Sequence, residues 1–299
     1  MAQNHLANTH KMVNDWNHAS GPIPVRMTND YLFRALLQRN QNVLKALICS
    51  LLHLNSNDVH SVTILNPIEL GETIDDKNFI LDIKIELNQN TIINLEMQVI
   101  NERNCPERSL SYLCRTFDNL NHGDDYEDIR PAIQIGFLDF TLFEDSPEFY
   151  ATYQLLNIKN HRLYSGKFQL SVVDLTKINL ASEEDRLHKI DHWAALFKAT
   201  TWEELKMLAK SNQSIEDAAT TVYQLTQEEK IRQQMEARED YYRRTAGRER
   251  RLRESIAEVK RLTSENEQLF SKNEHLFSEN EQLKKLLNEH GIDINEKAL

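Results

Sequence analysis

The sequence has few glycines, few cysteines and no long apolar run. Its seven glycines among 299 residues form neither a Walker-type phosphate loop nor a GxSxG elbow, which excludes two common hydrolase motifs. The cysteines Cys49, Cys105 and Cys114 form no CxxC pair, and their odd number favours a reducing compartment over a disulfide scaffold. No apolar run approaches the roughly 20 residues of a membrane span, and the N-terminal residues lack the apolar segment of a secretory signal. These absences predict a cytoplasmic protein without a membrane partner.

Basic residues are too few to make the chain positive. The formal net charge is −11, which argues against a nucleic-acid-binding protein that is basic all over. Nucleic-acid binding would need a local basic patch or a bound metal. With 40% hydrophobic and 27% charged residues, the chain can build a real core, so it is not expected to be disordered throughout.

Composition and hydrophobic periodicity divide the chain into four parts. Residues 1–25 are polar, rich in Asn and His, and predicted to be poorly ordered. Residues 26–180 mix helical and strand-like segments, which predicts a compact α/β domain. Residues 181–248 are predicted to be helical, and residues 249–290 to form a coiled coil.

Helix and strand signals alternate within the α/β domain. One helix is expected to start near Thr28–Asp30, which can cap it, and another to follow Pro106 and reach about residue 121. Strand-like runs cover residues 60–68, 79–87, 91–100, 132–140, 149–156 and 168–175.

The C-terminal part repeats every seven residues, as in "SENEQLF", "SKNEHLF" and "SENEQLK". Asn residues at the a positions pair best across a parallel two-stranded interface, so the repeat predicts a parallel homodimer. The d positions are Leu262, Leu269, Leu276 and Leu283, and the a positions are Val259, Asn266, Asn273, Asn280 and Leu287.

The segment "FILDIKIELNQNTIINLEMQ" (79–98) predicts a hairpin with acidic groups inside its strands. If residues 88–90 form the loop, Leu87 lies opposite Thr91 and Asp82 opposite Glu96, with β-carbons about 5 Å apart. Gln98 follows Glu96 on the same face of its strand.

Two interpretations of this hairpin remain open from the pattern. Facing carboxylates repel unless one is protonated or a cation lies between them, and an oxygen-rich set suits Mg²⁺ or Mn²⁺. Alternatively, the acidic face is exposed to solvent, since Lys84 and Glu86 share it with Asp82.

Five segments between Thr28 and Phe143 carry further motifs in a fixed order. They are "TNDYLFRALL", "ILNPIEL", "DDKNFILDIKIEL", "NLEMQ" and "GDDYEDIRPAIQIGFLDF". The ordered set resembles the recombination-promoting nuclease / putative transposase family, a branch of the PD-(D/E)XK nuclease superfamily. The resemblance implies a restriction-endonuclease-like αβββαβ core, followed here by the helical region and the coiled coil.

The same resemblance implies roles for individual residues. Asp82 and Glu96 would bind Mg²⁺ or Mn²⁺, and Gln98, where the wider superfamily has lysine, would align the attacking water or a substrate oxygen. Asp30 matches an acidic residue that can join the site, although it could equally be a helix N-cap. Arg108 and Tyr112 match residues of the second helix, either as phosphate contacts or as ordinary helix surface.

The implied activity is metal-dependent hydrolysis of DNA phosphodiester bonds by an endonuclease linked to recombination or mobile elements. The alternative is a catalytically weak DNA-binding or dimeric adaptor protein that keeps the nuclease fold. A magnesium-dependent cleavage assay on the Glu96→Ala variant would separate the two.

Two other motifs have simpler explanations. "HKIDH" places His188 and His192 four residues apart, the spacing of a zinc pair on a helix, but without a third ligand we interpret them as helix surface. "YYRRTAGRERRLRES" (241–255) lacks a basic-zipper signature, and we interpret it as a solvated helix able to contact DNA phosphates. Its candidate DNA-binding residues are Arg243, Arg244, Arg248, Arg250, Arg251 and Arg253.

Overall fold

The computed structural model describes residues 16–70, 82–210 and 212–292. The chain divides once, into a unit of Met1–Tyr242 and a unit of Arg243–Leu299. The predicted α/β domain and most of the predicted helical region therefore form one compact unit rather than two.

The order of elements follows the predicted αβββαβ core. Two helices precede three strands, a helix comes next, and strands β4 to β6 and further helices complete the first unit. The helices are α1 (Asp30–Arg39), α2 (Gln41–Leu51), α3 (Cys105–Phe117), α4 (Glu183–Leu187), α5 (Ile190–Lys198), α6 (Trp202–Ala209), α7 (Gln213–Gln227) and α8 (Glu229–Glu289), and the strands are β1 (Val62–Ile64), β2 (Ile83–Leu87), β3 (Thr91–Gln98), β4 (Ala132–Leu138), β5 (Tyr150–Gln154) and β6 (Phe168–Asp174).

The strands form one six-stranded mixed sheet in the order β1-β2-β3-β4-β6-β5. β2 and β3 are the antiparallel hairpin, and β4 adds to β3 in parallel. Leu87 lies opposite Thr91 and Ile83 opposite Leu95, which confirms the register predicted from the alternation of apolar residues. Residues 88–90 form the turn, with left-handed backbone at Asn88 (φ 50°) and Gln89 (φ 56°). The predicted strand residues 79–81 lie outside the described part of the chain.

Both faces of β3 are covered. On one face, Ile93 and Leu95 pack in the main core with Phe33 of α1. On the other face, α3 covers the sheet, and Leu113 packs with Ala132 and Leu138 of β4. Glu96 and Gln98 in β3 are each only 7% exposed, so the interpretation of the hairpin as solvent-facing is wrong for them.

The helix starts have local causes. Asn29, not Asp30, caps α1, because its side-chain oxygen accepts a hydrogen bond from the Leu32 N–H at 3.1 Å. Asp30 is the first helical residue, so its interpretation as an N-cap is wrong. Within the predicted poorly ordered leader, Trp16 and Ile23 are buried in the core, which is contrary to disorder over residues 16–25; residues 1–15 lie outside the described part.

The "HKIDH" motif does not lie on a single helix. His188 is the C-cap of α4, and His192 lies within α5. Lys189 between them has a left-handed backbone with φ 62°, which interrupts the helical path. The helical spacing predicted for the two histidines is therefore wrong.

In the second unit, α8 runs to Glu289 and continues through Gly247. The four leucines at the d positions are exposed in the single chain, from 46% at Leu276 to 59% at Leu269. None of the described helices combines the length and the apolar character that a membrane span requires.

The aromatic cluster in the main core predicts a large loss of stability on truncation. Phe33 is fully buried, and its ring lies 5.4 Å from that of Phe137 and 5.3 Å from that of Phe197. We expect Phe33→Ala to lower the free energy of unfolding by about 3–5 kcal/mol in urea denaturation. The matched control Tyr164→Ala, at an 82% exposed ring, should change it by less than about 0.5 kcal/mol. Equal losses for the two variants would contradict this placement of the core.

Candidate active site

Asp82 lies immediately before β2, where two side chains bind its backbone. Its carbonyl oxygen accepts hydrogen bonds from the Arg34 guanidinium and from the Asn66 amide, the latter at 3.0 Å. Arg34 also donates to the Asn66 carbonyl, and the Asn66 side-chain oxygen accepts from the Lys84 N–H at 2.8 Å. Arg34 is fully buried. These contacts fix where β2 begins and thus where the Asp82 carboxylate lies.

Glu96 and Gln98 lie near the end of β3, on the face covered by α3. Glu96 Oε1 accepts a hydrogen bond from Arg108 Nη2 at 2.5 Å, which makes a largely buried ion pair. The Gln98 amide makes only a long hydrogen bond, 3.4 Å to the carbonyl oxygen of Ile100. The Gln98 carboxamide is therefore buried but only weakly hydrogen-bonded.

Burial shifts the ionisation of both carboxylates in the same direction. It raises the pKa of Asp82, while the Arg34 guanidinium and the Asn94 amide act in the opposite sense. It raises the pKa of Glu96 to about 6, with Arg108 opposing the shift and the charges of Asp82 and Asp30 adding to it. Asp30, Asp82 and Glu96 are thus one electrostatically coupled group.

Asp30 reaches this group from α1 but is already paired. Its carboxylate accepts a hydrogen bond from Arg238 Nε at 2.8 Å and another from the same guanidinium. Its backbone N–H donates to the hydroxyl of Tyr242 at 3.1 Å. The guanidinium of Arg238 also lies over the rings of Tyr241 (4.7 Å) and Tyr242 (5.3 Å). The N-terminal turns of α8 therefore pack against the start of α1.

Arg108 and Tyr112 meet the site in different ways. Arg108 pairs with Glu96 and lies 3.7 Å from a carboxylate oxygen of Glu102. Tyr112 contacts Arg108, whose guanidinium carbon is 5.5 Å from the centre of its ring. The arginine side chain is about one-third exposed, so part of its guanidinium reaches the surface beside the buried carboxylate.

The arrangement fits a hard divalent cation. Asp82 Oδ1 is buried and has no hydrogen-bond partner among the described residues. Uncompensated buried carboxylate oxygens are costly, and a divalent ion with oxygen ligands removes that cost. Asp82 and Glu96 are the residues that could hold such an ion, and Asp30 is close enough to influence it electrostatically.

The sequence alone did not indicate the structural roles of Arg34, Asn66 and Arg238. Asn66 was part of a recognised motif without an assigned role, and Arg34 was signalled only as a charged residue inside the apolar run "LFRALL". Arg238 approaches from 208 residues away, and no local pattern indicates its contact with Asp30.

The six candidate DNA-binding arginines lie elsewhere in the fold. They belong to the second unit and to the α8 helix. Arg253 pairs with Glu249 at 3.2 Å and Arg250 lies 3.9 Å from Glu254, so neighbouring acids share part of this positive charge. The stretch is a solvated helix, as the sequence interpretation has it.

Comparison with known proteins then places this geometry in a family. A model of the PD-(D/E)XK nuclease family transposases matches residues 27–247, about three quarters of the chain. The match includes Asp82, Glu96 and Gln98, and it ends before the heptad leucines. Neither the curated proteins nor the solved structures give a match. Nucleases of this kind act on DNA and usually use divalent metals. The chain belongs to the PD-(D/E)XK nuclease family transposases.

Proposed function

We propose that the protein is a metal-dependent DNA endonuclease in which Asp82 and Glu96 hold Mg²⁺ or Mn²⁺. The observation that supports this most is the buried Asp82 Oδ1, which has no hydrogen-bond partner within the described part of the chain, together with the buried Glu96, whose charge interacts with that of Asp82. A carboxylate pair with raised pKa values on a covered strand is a costly arrangement for a structural protein, and it is what a cation site requires.

Each residue of the site has a distinct task in this proposal. Asp82 and Glu96 would hold a divalent ion, which would supply a water of lowered pKa and neutralise phosphodiester charge. Arg34 and Asn66 hold Asp82 in place through its carbonyl oxygen. Gln98 is uncharged, so it orients the attacking water or a phosphate oxygen but does not take up the proton. Arg108 and Tyr112 bind the scissile phosphate, with Arg108 turning away from Glu96.

The second unit supplies the proposed assembly. Four exposed leucines at d positions need a partner to bury them, and a second copy of the same helix offers the matching repeat. A parallel dimer would bring two nuclease units to one duplex. The arginines from Arg243 to Arg253 would add salt-dependent contacts to DNA phosphates. We place this activity in DNA recombination or mobile-element transfer within the cytoplasm.

One observation favours the second candidate function, a catalytically weak DNA-binding or dimeric adaptor protein. Arg108 already neutralises Glu96, and Arg238 already neutralises Asp30, so internal cations replace part of what a metal would supply. Gln98 also lacks the charge of a lysine. An adaptor of this kind would keep DNA affinity and the fold without cleavage.

Removing one ligand charge should separate these functions. We expect Asp82→Asn and Glu96→Gln to lower the rate of plasmid nicking in Mg²⁺ by at least about 100-fold, because each removes a metal-binding carboxylate. Calorimetry should show a matching loss of Mn²⁺ binding, while DNA affinity in the absence of metal stays near wild type. Glu86→Gln, on the same hairpin but paired with Arg130, is the matched control and should cleave normally. Equal products from all four proteins would support the adaptor function instead.

The pKa of Glu96 predicts how pH affects the metal-free protein. Its folded value of about 6 lies above the usual 4.5, so between these values the folded state binds more protons than the unfolded state. The contribution of Glu96 to stability therefore falls as pH rises from about 4.5 to above 6. In EDTA, we expect Glu96→Gln to unfold with a free energy about 2 kcal/mol above wild type at about pH 7.5, and near wild type at about pH 4.5. A difference that does not change with pH would contradict the raised pKa.

The proposed dimer can be tested in the heptads. Replacing Leu269 and Leu276 with lysine places charges at two d positions, and we expect the full chain to sediment as a monomer at concentrations where wild type is a dimer. The control replaces the preceding residues, Gln268 and His275, which lie outside the a and d positions, and should leave the dimer intact. A monomeric wild type, or a dimer that survives the leucine changes, would overturn the proposal.

A further inference from the structure

Three side chains of types that can ligate a metal ion meet in the first unit. His53 follows the end of α2, Glu184 lies in α4, and His188 caps the end of α4. One ligand atom from each residue lies within 4.8 Å of those of the other two. The cluster shares no residue with Asp30, Asp82 and Glu96.

The geometry of the cluster is close. His53 Nδ1 lies 3.3 Å from Glu184 Oε1, and the rings of His53 and His188 stack with centroids 4.1 Å apart and planes 4° from parallel. The His188 N–H donates to the Glu184 carbonyl oxygen at 3.0 Å, which fixes the two α4 residues relative to each other. His53 has a left-handed backbone with φ 55°. This conformation is uncommon for a residue other than glycine.

A simple ion pair accounts for only part of this arrangement. An exposed pair of His53 with Glu184, whose side chain is 70% exposed, would contribute little to stability. Such a pair gives no role to His188, and two protonated imidazoles stacked at this distance would repel. His53 Nε2 is also buried without a hydrogen-bond partner among the described residues. Neutral imidazoles that share a metal ion would remove the repulsion and use the ring nitrogens.

We propose that His53, Glu184 and His188 form a binding site for a transition-metal ion of the Zn²⁺ type. Two imidazoles and one carboxylate are a donor set that Zn²⁺ accepts, with the fourth position left to water. Imidazole ligands distinguish this site from the all-oxygen acidic site, which suits harder ions. Because the two rings are stacked with planes 4° from parallel, binding would require them to tilt until a nitrogen lone pair of each points at one ion.

The bound ion would join segments that are distant in the sequence. His53 lies just beyond α2, and the other two ligands belong to the start of the C-terminal helices of the first unit. A ligand that binds the folded chain and not the unfolded chain raises the apparent stability. The site would therefore act as a structural link between α2 and α4, whatever the activity of the acidic site.

His192 provides a matched control from the same short motif. The sequence pairs it with His188 by spacing, but Lys189 breaks the helical path and His192 lies in α5, outside the cluster. Replacing His192 therefore removes an imidazole of the "HKIDH" segment without removing a proposed ligand. A zinc site built on the four-residue spacing of the two histidines would need His192 as a ligand, whereas the proposed site does not.

The test is titration of the full chain with Zn²⁺ by calorimetry, in reducing buffer after EDTA treatment. We expect His53→Ala and His188→Ala each to weaken one Zn²⁺ site by at least about 100-fold, because losing even an outer hydrogen-bond partner costs about 10–100-fold. Glu184→Gln should weaken the same site, and His192→Ala should bind as wild type does. Co²⁺ in place of Zn²⁺ should give the visible absorption of a four-coordinate ion in wild type and His192→Ala only.

Thermal unfolding separates a lost site from a damaged fold. Glu184 is exposed, so Glu184→Gln should melt like wild type in EDTA but should lose the rise in melting temperature that Zn²⁺ gives to wild type. Unchanged Zn²⁺ binding in the His53 and His188 variants would overturn the proposal. A loss of binding in His192→Ala as large as in His188→Ala would overturn it as well.

Discussion

The electrostatically coupled carboxylates of Asp30, Asp82 and Glu96 are the constraint on which the rest of this structure depends. Glu96 lies in β3, which the main core and α3 cover, and Asp82 immediately precedes β2, the strand that pairs with β3. Removing such groups from water costs several kcal/mol unless cations or donors replace the water. The fold supplies guanidinium groups from three helices: Arg34 from α1, Arg108 from α3 and Arg238 from α8. The helices that pack around the sheet thus also supply the positive charge that the buried carboxylates require.

The arginines do not meet that requirement fully. Arg34 donates its hydrogen bonds to backbone carbonyls, and burial lowers its pKa while the charge of Asp82 opposes that shift. Asp82 Oδ1 stays without a partner among the described residues, and Glu96 keeps a pKa of about 6 in spite of Arg108. If the network served stability alone, replacing one of these carboxylates with a neutral amide would remove the uncompensated charge and stabilise the fold. Within the described part of the chain, the positive charge therefore remains incomplete for both carboxylates.

The hairpin register could be predicted from sequence, because a slip of one residue would move Ile83 and Ile85 from the core to the other face. The burial of Glu96 could not, since it depends on β4 and α3, which pair with β3 from later in the chain. The cap of α1 was ambiguous for a local reason: Asn29 and Asp30 are equally good caps by type, and only the exact start of the helix selects Asn29. The alternation pattern alone left two interpretations of the hairpin open, and the ordered motifs favoured Asp82 and Glu96 as metal ligands. The comparison with known families confirms the family without testing those residues.

The start of α8 illustrates why domain limits escape sequence patterns. Its composition is polar and continuous with the heptads, so residues up to 248 were predicted to be a helical region separate from the nuclease domain. In the structure, Met235 is fully buried in the main core and Arg238 binds Asp30, so these turns belong to the first unit. A buried Asp30 without Arg238 would be an unpaired charge in a nonpolar environment. The smallest fragment that keeps the acidic group compensated therefore extends to about Tyr242.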